Sequence, residues 1–224
     1  MAITLRTFIV AVVVGSWCSA TAQAQTPAPA DGPYVAGSLD ISHRQPAEDA
    51  AARNTFDTGW KANGGLGYRF GAIRVEGEYT RFRNAFKEIT LFFDGGALPA
   101  EASEGSAHGH SLFASIHYDV ATGGALRPYA GVGLGTYKVH IDGLTSPTLG
   151  SFGITVDETT GWTRAFQVRG GLAVAIAPGA EVLVGYRWHR GFPLTFTVPG
   201  VGELNPGGVR THSGEIGFRY TFGS

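Results

Sequence analysis

Eight segments of this chain alternate apolar and polar residues, and the connectors between them are long and short by turns. Alternation at period two marks a strand with one apolar and one polar face. The segments fall at about 34–42, 58–70, 72–82, 110–118, 127–141, 162–176, 180–189 and 210–222. The clearest is the third, where Ile73, Val75 and Tyr79 alternate with Arg74, Glu76, Glu78 and Thr80. In the sixth, Phe166, Val168, Leu172, Val174 and Ile176 alternate with Gln167, Arg169, Gly171 and Ala173. Three connectors are short: Gly71, residues 119–126 with Gly123-Gly124, and Ala177-Pro178-Gly179. The other four are much longer, at 42–57, 83–109, 142–161 and 190–208. This pattern predicts an all-β chain folded as an eight-stranded antiparallel up-and-down barrel.

The polar face decides where the barrel sits. A soluble β-sandwich or lipocalin-like barrel turns its apolar face inward. It would then need another home for Arg74, Glu76 and Glu78. In a lipid-embedded barrel the charges fit the lumen and the aliphatics fit lipid, and closure satisfies every backbone group. Such barrels have short periplasmic turns and long external loops. The connector order therefore places both chain ends in the periplasm and predicts a transmembrane β-barrel of a bacterial outer membrane. On this topology Tyr34, Tyr68, Phe70, Tyr118, Tyr129, Tyr220 and Phe222 fall at the periplasmic interface, and Trp60, Trp162 and Trp188 at the external one. Aromatic girdles are expected at both levels. One segment resists: in the fifth, Val132 and Leu134 share parity with Lys138 and His140. Either a bulge or an early exit from the membrane would reconcile this.

The N-terminus reads as an export signal over residues 1–24. Arg6 supplies positive charge, FIVAVVV (8–14) an apolar run too short to span a bilayer, and Ala22-Gln23-Ala24 a cleavage site between Ala24 and Gln25. The single cysteine, Cys18, lies inside this signal after the bulky Trp17, where lipoprotein signals use a small residue. Its removal would leave no thiolate metal site and no disulfide. Residues 25–32 (QTPAPADG) read as a flexible tether and residues 33–224 as the barrel domain. The formal net charge of −1 excludes the basic field that a nucleic-acid binder needs.

Candidate functional residues concentrate on the polar face. Lys61, Arg69, Arg74, Glu76, Glu78, Arg169, Glu181, Arg187, Glu215 and Arg219 would share the lumen. An eight-stranded barrel is wide enough only to be filled by side chains or to hold one small ligand. Unpaired ions there cost several kcal/mol. An ion-pair plug is therefore favoured over a solute pathway, with Glu76 and Glu78 expected to meet Arg187 and Arg219. His212, Ser213 and Glu215 superficially offer a catalytic set, but adjacent strand residues point to opposite faces, so His212 has no route to the Ser213 hydroxyl. His108 and His110 could chelate a metal, yet read better as solvated loop histidines. No catalytic residue, cofactor or metal site is assigned. The long loops, with Phe86, Phe92, Phe93, Phe152 and Phe192, are expected to carry external contacts.

Five segments resemble the small outer-membrane β-barrel family of OmpA-like transmembrane domains and opacity-type, porin-family surface proteins: YVAGSL (34–39), RVEGEY (74–79), RPYAGVGLG (127–135), LVGYRW (183–188) and IGFRYTF (216–222). The resemblance implies an eight-stranded barrel inserted by the outer-membrane assembly machinery, which reads a C-terminal strand ending in an aromatic. Here Phe222 is followed by Gly223 and Ser224. It also implies outer-membrane lipid and lipopolysaccharide as surroundings, and host or matrix surface molecules as contacts. A role in envelope structure or surface interaction is the expected function. A narrow porin-like channel or a small-ligand barrel, for haem as one example, is the alternative.

Overall fold

The computed structural model describes residues 31–48, 52–93, 96–151, 159–193, 196–198, 202–204 and 208–223. The signal, its cleavage site at Ala24 and Gln25, and the tether up to residue 30 lie outside the described residues. Eight long strands build the molecule: β1 (Gly32–Arg44), β2 (Gly59–Phe70), β3 (Ile73–Phe93), β4 (Glu104–Asp119), β5 (Leu126–Thr145), β6 (Thr159–Ala177), β7 (Ala180–Pro193) and β8 (Gly208–Thr221). Each pairs antiparallel with its sequence neighbours. β1 closes on β8, from Tyr34 opposite Thr221 to Arg44 opposite Thr211. Closure leaves no sheet edge, as hydrocarbon demands.

Over the lower two-thirds of the barrel the apolar face points outward. Ile41, Leu66, Val132, Leu134, Ile116 and Ile216 are all exposed, Leu134 by 73 %. The charged residues alternating with them are buried. Trp60 and Trp162 stand exposed at one end of this apolar band, and Tyr68, Phe70, Tyr118, Tyr220 and Phe222 at the other. From Trp60 to Phe70 the strand advances about ten residues, which at ~3.3 Å per residue and ~40° tilt is ~25 Å, the height of a lipid-facing band.

Above the tryptophans the strands continue and the pattern changes phase. On β3, Arg81 and Arg83 face outward and Phe82 and Phe86 are buried. On β5, Lys138 and His140 face outward, and Tyr137 and Val139 are buried. Outside the membrane the barrel wall is bathed in water, so the soluble-protein rule returns: polar out, apolar in. This settles the fifth segment. β5 pairs without a register break from Leu126 to Ile141 against β6, so an early exit, not a bulge, explains Lys138 and His140.

The same extension corrects the expected loops. Residues 83–93 are not an irregular connector but the upper half of a 21-residue strand. They pair with a short strand at Ala52–Phe56 and with Glu101–Ala102. Phe86, expected on a binding loop, is buried against Phe56 with ring centroids 5.1 Å apart. Phe192 is exposed. The Phe93 side chain and Phe152 lie outside what is described. A five-residue helix, Pro147–Ser151, sits in the third external connector. Glu101 accepts hydrogen bonds from the Thr148 amide (3.1 Å) and hydroxyl (2.9 Å) and from Ser146, tying the second and third external connectors together. These bonds, Ser146's first, hold the Glu101 carboxyl below its usual pKa.

The periplasmic turns are tight. Phe70 pairs with Ile73 across Gly71-Ala72, with Gly71 at φ 59°. Ala177 pairs with Ala180 across Pro178-Gly179, with Gly179 at φ 73°. Proline then glycine suits a turn whose second central residue needs a positive φ. Glycine also makes room inside. At Gly67 an added Cβ would lie 2.3 Å from the Tyr34 ring, so Tyr34 packs on bare backbone. Gly67→Val is expected to cost ~1–3 kcal/mol through overpacking, read as a lower urea midpoint of the mature protein folded into lipid vesicles.

Candidate functional site

The described lumen holds eight buried Arg and Lys side chains and six buried carboxylates, arranged in layers. Nearest the periplasmic turns lie Arg69, Arg74, Arg127 and Arg219, with Asp119 and Glu181. Asp119 accepts three bonds from Arg74 (2.9, 2.9 and 3.0 Å) and pairs with Arg69 at 2.9 Å. Glu181 gathers Arg69 (3.3 Å), Arg219 (2.6 Å) and Arg127.

The middle layer contains Arg169, Arg187, Lys61, Asp40, Glu76, Glu78 and Glu215. Arg169 bridges Glu215 (2.7 Å), Glu76 (3.2 Å) and Glu78 (3.4 Å). Arg187 forms a two-pronged contact with Glu78, one arm at 2.9 Å, and reaches Glu215 at 3.0 Å and Asp40 at 3.6 Å. Neutral groups fill the gaps. The Tyr34 hydroxyl donates to Glu76 (2.9 Å) and the Tyr129 hydroxyl to Glu215 (2.7 Å). Gln167 accepts from Arg187 (3.1 Å), and Asn63 donates to Asp40 (2.7 Å). Lys61 is buried opposite Asp40 in register, with its ammonium making no hydrogen bond.

The outer layer is apolar: Phe56, Phe82, Phe86, Phe113, Tyr137, Val139 and neighbours form one buried cluster. Phe82 stacks on Tyr137 at 4.5 Å, and the His189 ring stands edge-on to both Phe113 and Tyr137. Arg44 lies over the Phe56 ring at 4.2 Å.

These contacts arise because the register places like charges side by side. Arg69 is directly opposite Arg74, Arg169 opposite Arg187, and Asp40 opposite Glu215. Such neighbours repel within a sheet. Each pair is relieved by an opposite charge from a third strand: Asp119 of β4 for the first, Glu78 of β3 and Glu215 of β8 for the second, Arg187 of β7 for the third. The network thus combines pairs between neighbouring strands, Arg74–Asp119, Arg187–Glu215 and Arg219–Glu181, with pairs that only closure allows, where Arg169 and Arg187 reach Glu76 and Glu78 of β3 across the lumen.

All ten lumen residues singled out in the sequence are buried. Arg187 meets Glu78, but Arg219 does not meet Glu76 or Glu78. It stands opposite Glu181 across β7 and β8 and pairs there. Two of the expected interface aromatics are corrected. Tyr34 and Tyr129 are 1 % and 4 % exposed and lie inside, because they share parity with Ser38 and Asp40 and with Arg127. Trp60, Trp162, Tyr68, Tyr118, Tyr220 and Phe222 face outward, and Trp188 is half-buried against Phe166. The lumen charge set read from the sequence leaves out Asp40, Asp119 and Arg127, and His117 joins them inside. Parity would have found them, since 115, 117 and 119 continue one face of β4. His212 faces outward, bonded to Gln45 and Tyr186, whereas Ser213 and Glu215 face inward. His108 and His110 both lie on the outward face.

The sequence matches the family described as outer membrane protein beta-barrel domain over residues 9–222. The chain belongs to this outer-membrane β-barrel family. Among solved structures, this outer-membrane barrel resembles Neisserial surface protein A (NspA), at 20 % identity and TM-score 0.58 over 85 % of this chain and 97 % of that one. It also resembles OprG from Pseudomonas aeruginosa, at 15 % identity and TM-score 0.56 over 86 % and 97 %. At such identities the likeness concerns the fold. No curated protein matches it significantly. The outer-membrane barrel resides in the cell outer membrane, with its apolar band in lipid.

Proposed function

We propose that this barrel is a non-enzymatic envelope protein whose lumen is closed and whose work is done by its external surfaces. The observation that carries this reading is the filling of the lumen. Across the middle layer Arg169 and Arg187 reach β3 and β8 simultaneously, leaving guanidinium groups where a solute path would run. Above them the aromatic cluster occupies the barrel's external half. A solute would have to break several charge-assisted bonds and displace packed rings together.

The external strand extensions give a rigid wall that stands clear of the lipid, suited to structural roles or to contact with host or matrix surfaces. The decisive measurement is planar-bilayer conductance of the refolded mature protein. Silence is expected for the wild type. Stable unitary steps would favour the narrow channel instead. As a positive control, Arg169→Ala/Arg187→Ala combined with Phe82→Ala/Phe113→Ala/Tyr137→Ala should produce leak events if it inserts, because both the ion-pair layer and the aromatic layer are opened.

A further inference from the structure

On the outward face, just above the apolar band, two rows of basic residues run across three strands. Arg81 of β3 is directly opposite His110 of β4, which is opposite Lys138 of β5. One step higher, Arg83 is opposite His108, which is opposite His140. The rows end on tryptophan: Lys138 is opposite Trp162, with its ammonium 5.2 Å from the ring, and Arg83 is opposite Trp60. Neighbouring strands lie ~4.8 Å apart, so each row is ~10 Å wide.

Inside the barrel, facing like charges are relieved by opposite charges from other strands that share the lumen. This block has nothing across from it. Asp142 is the one carboxylate paired with it among the described residues, held to His108 at 3.1 Å. Like charges directly opposite each other are destabilising unless a counter-charge arrives. The other rim differs: among the described residues no Lys or Arg faces outward at the periplasmic end, whereas Arg164, Arg190 and Arg210 also face outward at the external end.

We infer that this block is a binding site for the phosphate groups of a phosphorylated glycolipid in the outer leaflet. Guanidinium and ammonium groups supply charge-assisted hydrogen bonds to phosphate oxygens. The height selects a lipid over a free anion. Immediately below the block, Tyr79 and Leu112 face each other, both exposed, and can lie along acyl chains while the phosphates meet the cations. Two phosphates held at the ends of a disaccharide-sized headgroup match the width of the rows.

The test uses the refolded mature protein in neutral micelles, with its thermal midpoint followed as bisphosphorylated lipid A is added. The midpoint should rise for the wild type. In Arg81→Gln/Lys138→Gln the half-saturating concentration should increase about tenfold, corresponding to the loss of one to two charge-assisted bonds. Dephosphorylated lipid A should give little shift, and inorganic phosphate at equal concentration none. Arg190→Gln/Arg210→Gln, on the other wall, should respond like the wild type. Unchanged half-saturation in Arg81→Gln/Lys138→Gln overturns the site. An equal loss in both double variants overturns its location. An equal shift with inorganic phosphate overturns the lipid as its occupant. Should Arg81→Gln/Lys138→Gln not fold, Lys138→Gln alone decides, with about threefold weakening expected from half the charge.

Discussion

Arg187→Met is expected to lower unfolding stability by ~3–5 kcal/mol, the cost of breaking a buried ion pair by removing one partner. Arg187 is 1 % exposed and touches Glu78, Glu215 and Asp40. Without it the middle layer keeps Arg169 and Lys61 against four carboxylates, and Lys61 makes no hydrogen bond. Asp40 and Glu215 would then face each other across β1 and β8 with no guanidinium between them. Methionine has a similar length and no charge, so lost packing contributes little. Urea unfolding in lipid vesicles, alongside the heat-dependent gel mobility of the folded barrel, reads the effect. The double variant Arg187→Met/Glu78→Met should lose less than the two single variants together, since each single change strands the other's charge. Strict additivity, or an unchanged midpoint in Arg187→Met, would show that the network does not support the fold.

Glu181→Gln should be at least as damaging. Glu181 is the meeting point of Arg69, Arg127 and Arg219. Its layer already holds four guanidinium groups against two carboxylates, so neutralising Glu181 leaves Asp119 alone to balance them. The amide is isosteric, which isolates charge from shape. A loss of ~3–5 kcal/mol is expected from the stranded buried cations. Lowering the positive excess should restore part of it, so Glu181→Gln/Arg127→Gln is predicted to be more stable than Glu181→Gln alone. The comparison of their urea midpoints checks this. A further loss in the double variant would mean that Arg127 acts through its own packing and not through Glu181.

Strand identity and facing were legible because one face had to match lipid over the whole membrane height. Lys61, Arg69, Arg74, Glu76 and Glu78 could be placed inside from parity alone. Tyr34 and Tyr129 were misplaced because their nearness to strand ends outweighed their parity. Both rings fit inside where glycine opens the wall, at Gly67 for Tyr34 and at Gly185 for Tyr129. Other strands carry those glycines, so nothing local to either tyrosine announced the space. Phe56, Phe82 and Phe86 were hidden by the change of phase above the tryptophans. Their stretch reads as a polar connector until Arg81 and Arg83 are recognised as facing water.

By itself the sequence determined the number of strands, their order, the lipid-facing surface and which end carries the loops. Each of these follows from a period of two and from connector length, which are local properties of a chain. The tertiary structure decided which charges pair. Along the sheet the register sets Arg beside Arg and Asp beside Glu, an arrangement that no strand-by-strand reading would call stable. Only closure brings β3 within reach of β6 and β7 across the lumen, where opposite charges meet in a buried interior that strengthens their attraction. On the outer wall, where no strand lies opposite, the same register leaves Arg81, His110 and Lys138 for the membrane to neutralise.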